Sequence, residues 1–206
     1  MRTLTFLIIC ALLALGVPPV AALDLAGTVE RLQGGATAIG SNGFSRPLQE
    51  GSTILVGDRI TTGAAARLRL RMNDGALLTL GNSSTLTIDA YDESEATGRA
   101  VLGVVEGAFL AATGAIARGA SDRFVVNTPV ATIGIRGTEV WGEQVGNRLA
   151  VAMLSGTGVV VSTPDGVAEL TTPEDGVDVV LGEALSAPKR WGKARLAAAI
   201  ATVSFD

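Results

Sequence analysis

The sequence predicts an all-β protein, solenoid-like or built of stacked twisted sheets, with a short C-terminal helix. Three observations lead there. The 26 glycines are spread along the whole chain and cut it into short runs. Those runs are rich in branched apolar residues and recur at roughly ten-residue spacing with turn signals between them. Several alternate apolar and polar residues with the period of two that belongs to a strand.

The first 22 residues stand apart from that pattern. Arg2 supplies one positive charge, Leu4 to Val17 form an apolar run without a charge, and Pro18-Pro19 break any helix before the small residues Val20, Ala21 and Ala22. Charge, apolar run and small-residue site in that order mark a secretory leader cleaved near Ala22. The run is short for a membrane-spanning helix, which needs about 20 apolar residues. Cys10 lies inside the run behind Ile8 and Ile9, which does not fit a lipidation site. The expected organisation is a signal peptide at 1–22, an all-β domain at 23–185 and a helical tail at 186–206.

Along the mature part, Arg67 to Met72 places Leu68, Leu70 and Met72 on one strand face. Asn73-Asp74-Gly75 is a tight-turn signal, and Ala76 to Leu80 returns as the partner strand. Further runs are Thr85–Ile88, Val101–Val105, Phe124–Val126, Thr132–Ile135, Glu139–Trp141, Leu149–Leu154 and Val159–Val161. The segment from Trp191 to Val203 is alanine-rich and sets Leu196, Ile200 and Val203 at helical spacing, with Pro188 near its start. It reads as a helix capping a sheet edge or solenoid end. The basic residues Lys189, Arg190, Lys193 and Arg195 leave open a second reading, docking to a partner or a membrane surface.

The chain carries a net charge of −4, and loss of Arg2 with the leader makes the mature part more acidic, which argues against a nucleic-acid partner. It contains no histidine, and its single cysteine is in the leader. Ser-His and Cys-His nucleophile pairs and His- or Cys-based zinc sites are thereby excluded. Carboxylate chemistry remains open. The expectation is no enzyme activity, no cofactor and no transmembrane segment after leader cleavage.

Three stretches together resemble the FecR domain family. They are Leu48–Gly51 running into Asp58-Arg-Ile-Thr-Thr62; Leu68 to Gly75 followed by Leu78 to Ser84; and Phe124 to Thr138. The most specific part is the pattern Thr-Pro-x-Ala-x-x-x-x-Arg-Gly-Thr, here Thr128, Pro129, Ala131, Arg136, Gly137 and Thr138. The resemblance spans about residues 25–165. It implies an exported, periplasmic or secreted all-β module that binds or scaffolds protein in the cell envelope. Signalling members of the family also carry a cytoplasmic anti-sigma region. Only a few residues precede the apolar run here, so that region and its role are not expected. The alternatives are an envelope polysaccharide-binding protein and a carboxylate-based hydrolase.

The candidate site residues are Asp74, Gly75, Thr128, Pro129, Arg136, Gly137 and Thr138. Arg136 sits among apolar neighbours. Ile133, Ile135 and Val140 should pack inward, and a guanidinium buried with them would have to be paired as a structural staple. The other reading is a binding role at the surface. Gly137 permits a turn or bulge, and Thr128-Pro129 suits an extended segment before a strand. Asp74-Gly75 is a hairpin turn, with calcium as the sharper alternative. Asp89, Asp92, Glu93 and Glu95 form an acidic loop without the glycine of a calcium loop. Glu106 and Glu139 are the imaginable carboxylate pair of a hydrolase.

Overall fold

A computed structural model describes residues 24–94, 97–118 and 121–205. The predicted leader lies outside the described residues. Strands make up 57% of the described residues and helix 7%, which bears out the all-β class with its short C-terminal helix. The strands are β1 (Leu25–Gln33), β2 (Ala36–Ile39), β3 (Ser45–Pro47), β4 (Thr53–Leu55), β5 (Arg59–Thr62), β6 (Arg67–Met72), β7 (Leu77–Leu80) and β8 (Thr85–Asp92). There follow β9 (Arg99–Ala112), β10 (Phe124–Asn127), β11 (Thr132–Val145), β12 (Arg148–Thr163), β13 (Gly166–Leu170), β14 (Asp175–Val180), β15 (Lys189–Arg190) and the helix α1 (Lys193–Ala201).

Pairing divides this set into two half-sheets. The first runs β3-β2-β5-β8-β9-β10-β11-β12-β13, using the N-terminal halves of β9 and β11 and the C-terminal half of β12. The second runs β4-β1-β6-β7-β9-β11-β12-β14-β15, using the opposite halves of the same three strands. β9–β10 is the parallel pairing in this set and the rest are antiparallel, which is the stacked-sheet alternative and not a solenoid of parallel coils. Ile60, Leu86, Ile88, Leu102 and Ile133 of the first half-sheet share one core cluster with Leu68, Leu70, Leu80, Val140 and Met153 of the second.

Each long strand crosses between the half-sheets beside a glycine in the left-handed region: Gly107 in β9 (φ +95°), Gly137 in β11 (φ +55°) and Gly156 in β12 (φ +109°). Side-chain-bearing residues rarely hold that conformation. A Cβ at Gly107 would also run into Ser84, and one at Gly156 into the carbonyl of Gly137. Strands that change sheets at such bends form the corners of a sandwich. Thr132–Ile135 and Glu139–Trp141, separate runs in the sequence, are thus one bent strand.

The C-terminal segment lies on the outer face of the second half-sheet and not over an edge. It starts at β15, beside β14. Trp191, Leu196, Ala199 and Val203 then form a second apolar cluster with Ala108, Trp141 and Ala152, which point away from the main core. The Trp141 and Trp191 rings meet edge to face at 5.8 Å, and Trp141 Nε1 donates to Thr202 Oγ1 at 3.0 Å. The segment ends with Phe205 under the guanidinium groups of Arg31 in β1 and Arg69 in β6, at 4.5 and 5.1 Å. It is therefore a strap across the width of the half-sheet. The helix is rotated from the predicted face: Ala199 is buried and Ile200 is exposed, because the small alanine lets the helix sit closer to the sheet. Pro188 precedes β15 and does not start the helix. Arg195 pairs with Asp178, Arg190 with Glu174 and Lys189 with Asp178, so these basic residues bind the protein's own acids.

Candidate functional site

The signature Arg136-Gly137-Thr138 lies at the corner where β11 bends. Inward-facing Ile133, Ile135 and Val140 are fully buried, as their pattern predicts. Gly137 interrupts the alternation, so Arg136 and Gly137 both face solvent while Thr138 turns in and is 4% exposed. Opposite them, Arg136 pairs with Gly158 and Thr138 with Gly156, leaving Gly137 across from Thr157.

The bend removes ordinary ladder bonds, and Thr138 replaces them. Its Oγ1 accepts from the N–H groups of Thr157 (3.1 Å) and Gly158 (2.9 Å) and donates to the carbonyl of Arg136 at 2.6 Å. That uses the full capacity of a hydroxyl, one donor and two acceptor sites. From the other side, Thr113 Oγ1 accepts from the Thr138 N–H at 3.1 Å. The staple expected of Arg136 is therefore made by Thr138. Arg136 is exposed, and among the described residues its side chain makes no hydrogen bond or ion pair. The physical reason is the strand alternation, which beside inward Ile135 puts residue 136 outward, and the positive φ of Gly137, which then turns residue 138 inward.

Arg136 instead lines a cleft of about 210 Å³ on the outer face of the first half-sheet, facing Glu169, Leu170 and Thr171 at the end of β13, with Ser121 at its rim. A paired, half-buried guanidinium is found instead at Arg46, which the sequence reading passed over. It holds Asp58, which is 0% exposed, through both nitrogens, Nη1 to Oδ1 at 2.9 Å, and also reaches the Thr53 carbonyl at 3.0 Å. The hydrogen bond to Asp58 raises the Arg46 pKa against the lowering effect of burial. The quoted Asp58-Arg-Ile-Thr-Thr62 stretch was the available signal. Thr62, at its other end, stitches Gly81 and Ser84 as Thr138 stitches β12.

The remaining predicted residues fall into two turns. Asp74 and Gly75 form the β6–β7 hairpin turn, with Gly75 at φ +86°. Asp74 Oδ1 accepts from the Ala76 N–H at 3.0 Å and from the Tyr91 hydroxyl, and Oδ2 from the Ile116 N–H at 3.2 Å. Burial first, then the bond to Asp74, push the Tyr91 phenol far above its usual range, so it stays a neutral donor. Asp74 is thus a knot between three segments. Thr128 and Pro129 sit in the four-residue connection between β10 and β11 and are not an extended lead-in. Thr128 Oγ1 accepts from Ala131 N–H at 3.0 Å and from Val130 N–H at 3.2 Å, closing the hairpin.

Two other arrangements do not assemble. Among the described residues no three acidic, His or Cys side chains come together as a metal site; Asp92 instead accepts from Ser94, and Glu95 lies outside the described residues. Glu106 precedes Gly107, which pairs with Gln144, whereas Glu139 pairs with Ala112. At about 3.3 Å per residue that puts the two carboxylates on the order of 20 Å apart, beyond the roughly 5–10 Å of glycosidase pairs. Both tryptophans, the natural sugar platforms, are 3% exposed.

The comparisons with known proteins meet at the same corner. Residues 58–157 match the family model described as FecR protein. Over that span the chain is a FecR-family protein. The FecR match runs from β5 into β12 and includes all three strand crossings, but is narrower than the 25–165 suggested by the motifs. Two crystal structures of a candidate anti-sigma factor from Parabacteroides distasonis share the fold. One has 18% identity and a TM-score of 0.54, covering 68% of this chain and 62% of that one. The other has 17% identity and a TM-score of 0.53, covering 68% and 63%. This chain thus spans less than two thirds of their length. No curated protein matches. Among the described residues no helix is long and apolar enough to cross a membrane.

Proposed function

We propose that this FecR-family chain is an exported cell-envelope module that works by binding protein and not by catalysis, in the periplasm or outside the cell. The supporting observation is the unequal treatment of its two outer faces. The second half-sheet is covered by the chain's own strap, whereas among the described residues the first meets only Ser121, over Gly134, and presents Arg136 without an internal partner. A surface arginine at a polar cleft is a common anchor of protein interfaces. The fold shared with a candidate anti-sigma factor is consistent with a regulatory use.

Site-specific photo-crosslinkers in the native host test this. Placed at Thr132 and Ser162, on the outer face of the first half-sheet, they should capture a discrete envelope protein. Placed at Leu77, on the strapped half-sheet, they should not. Equal labelling from both faces, or capture of glycan with no protein, would remove the reading.

A further inference from the structure

A strand at the edge of a sheet shows unpaired N–H and C=O groups, and proteins blunt such edges with short strands, prolines or charges. Three of the four end strands here follow that rule. β3 has three residues and finishes on Pro47, β4 has three residues, and β15 is Lys189-Arg190 behind Pro188. β13 follows it least. It has five residues, pairs among the described residues with β12 and no other strand, contains no proline and a single charge, Glu169, which points off the outer face, and exposes Val167 at 63%.

The Arg136 cleft adjoins that strand. Arg136 stands on one side and Glu169 and Thr171 on the other. Gly158 lies between them, opposite Arg136. Nothing in the fold demands a glycine there: a Cβ would meet only the Leu170 carbonyl, at an ordinary 3.7 Å. The missing side chain keeps the cleft open towards β13.

We propose that β13 is the template for an added strand: an extended segment of a partner protein pairs with its free edge and sets an acidic side chain against Arg136 and a basic one against Glu169. This rests on the protein-binding reading and adds the mode and the chemistry of the partner. Main-chain hydrogen bonds supply affinity in such augmentation, and alternate side chains supply specificity. The outward residues of β13 fix the pattern. A Cβ at Gly166 would meet Leu185 at 4.0 Å on the inner face, so the outward pattern starts at Val167. Ala168 and Leu170 point into the core, so Val167, Glu169 and Thr171 share the outer face. The added strand should therefore place an apolar residue opposite Val167, a basic one opposite Glu169 and an acidic one opposite Thr171, over the cleft.

The test uses the full mature chain and labelled heptapeptides on a threonine background. In the first pair, positions two, four and six are glutamate, lysine and valine, or the same in reverse order. In the second pair, glutamate and lysine are exchanged. Binding is read by anisotropy up to about 1 mM, the range of weak peptide recognition. One order of the first pair should bind, with slowed amide exchange along 167–171. Arg136→Glu should weaken it about tenfold, the scale of 1.4 kcal/mol, and should improve binding of an exchanged peptide. Gly158→Leu should block the cleft while the melting temperature holds, and N-methylation of alternate peptide amides should abolish binding. No saturable binding, or binding that leaves the β13 amides unprotected or ignores N-methylation, overturns the added strand. If crosslinks from Thr132 and Ser162 persist in that case, the protein-binding reading survives with a different docking mode; if they vanish too, it falls as well.

Discussion

The two half-sheets share one core yet differ on their outer faces. The second shows the sheet's outside apolar residues, Leu110, Trp141 and Leu154 among them, and the C-terminal strap buries them. The first has a polar row in register, from Thr87 and Gly103 through Asn127 and Thr132 to Ser162, beside a short apolar row of Val101, Val125 and Val160; among the described residues Ser121 packs on it at Gly134 and no strap crosses it. An apolar outer face must be buried, and the chain does so with its own tail. A polar one is stable in water and remains available to a partner. Covered and open faces thus follow from side-chain polarity in adjacent strands of one fold.

The largest effect should come from breaking the covered side. Trp191→Ala removes a side chain that is 3% exposed and stacked edge to face on Trp141. It should cost about 3–5 kcal/mol, read by chemical denaturation. A cost below about 1 kcal/mol would mean that the strap is not part of the stable fold.

Next is the corner. Thr138→Val keeps the shape and removes the hydroxyl, leaving the partly buried N–H groups of Thr157 and Gly158 without their acceptor. A loss of about 1–2 kcal/mol follows from two partly buried donors left without their partner. No change would show that Thr138 is not the staple.

The strap should also loosen in acid. Hydrogen bonds from Arg195 hold the Asp178 carboxyl below its ordinary value of 3.8, against the raising effect of burial. A depressed folded value stabilises above the unfolded value and is lost as pH falls through the folded one. The attachment should therefore be complete at neutral pH and weaken below pH 3.8. Of the two tryptophans of the chain, Trp191 lies in the strap and Trp141 beneath it, so intrinsic fluorescence reports the attachment directly. Asp178→Asn should flatten that acid transition; an unaltered transition would detach the strap from this ion pair.

The sequence carried local structure well and long-range structure poorly. The β6–β7 hairpin was legible because period-two leucines flank Asn73-Asp74-Gly75, and the helix because alanines cluster after Trp191. The crossings were not, since a glycine that bends a strand between half-sheets looks like one that ends a strand. Gly137 was noted as a bulge, and inward Ile133 and Ile135 already imply an outward Arg136, but that Thr138 turns inward to bond the backbone depends on β12, some twenty residues away. That dependence moved the staple from Arg136 to Thr138. The Arg46–Asp58 pair escaped because the two residues meet only through the β2–β3 hairpin and the turn after β4. The strap's path was hidden because its binding surface is assembled from six strands.

The smallest expected effect on stability is also the most direct test of the open face. Arg136→Ala, an exposed side chain with no internal partner, should change stability by no more than about 0.5 kcal/mol. Beside it, Thr138→Val should melt clearly lower. Measured on the same preparations, crosslinked partner yield from Thr132 should fall for Arg136→Ala, whose fold is intact. An unchanged melt with lost capture is the predicted result. A clear drop in the melt of Arg136→Ala, or full capture without the guanidinium, would contradict it.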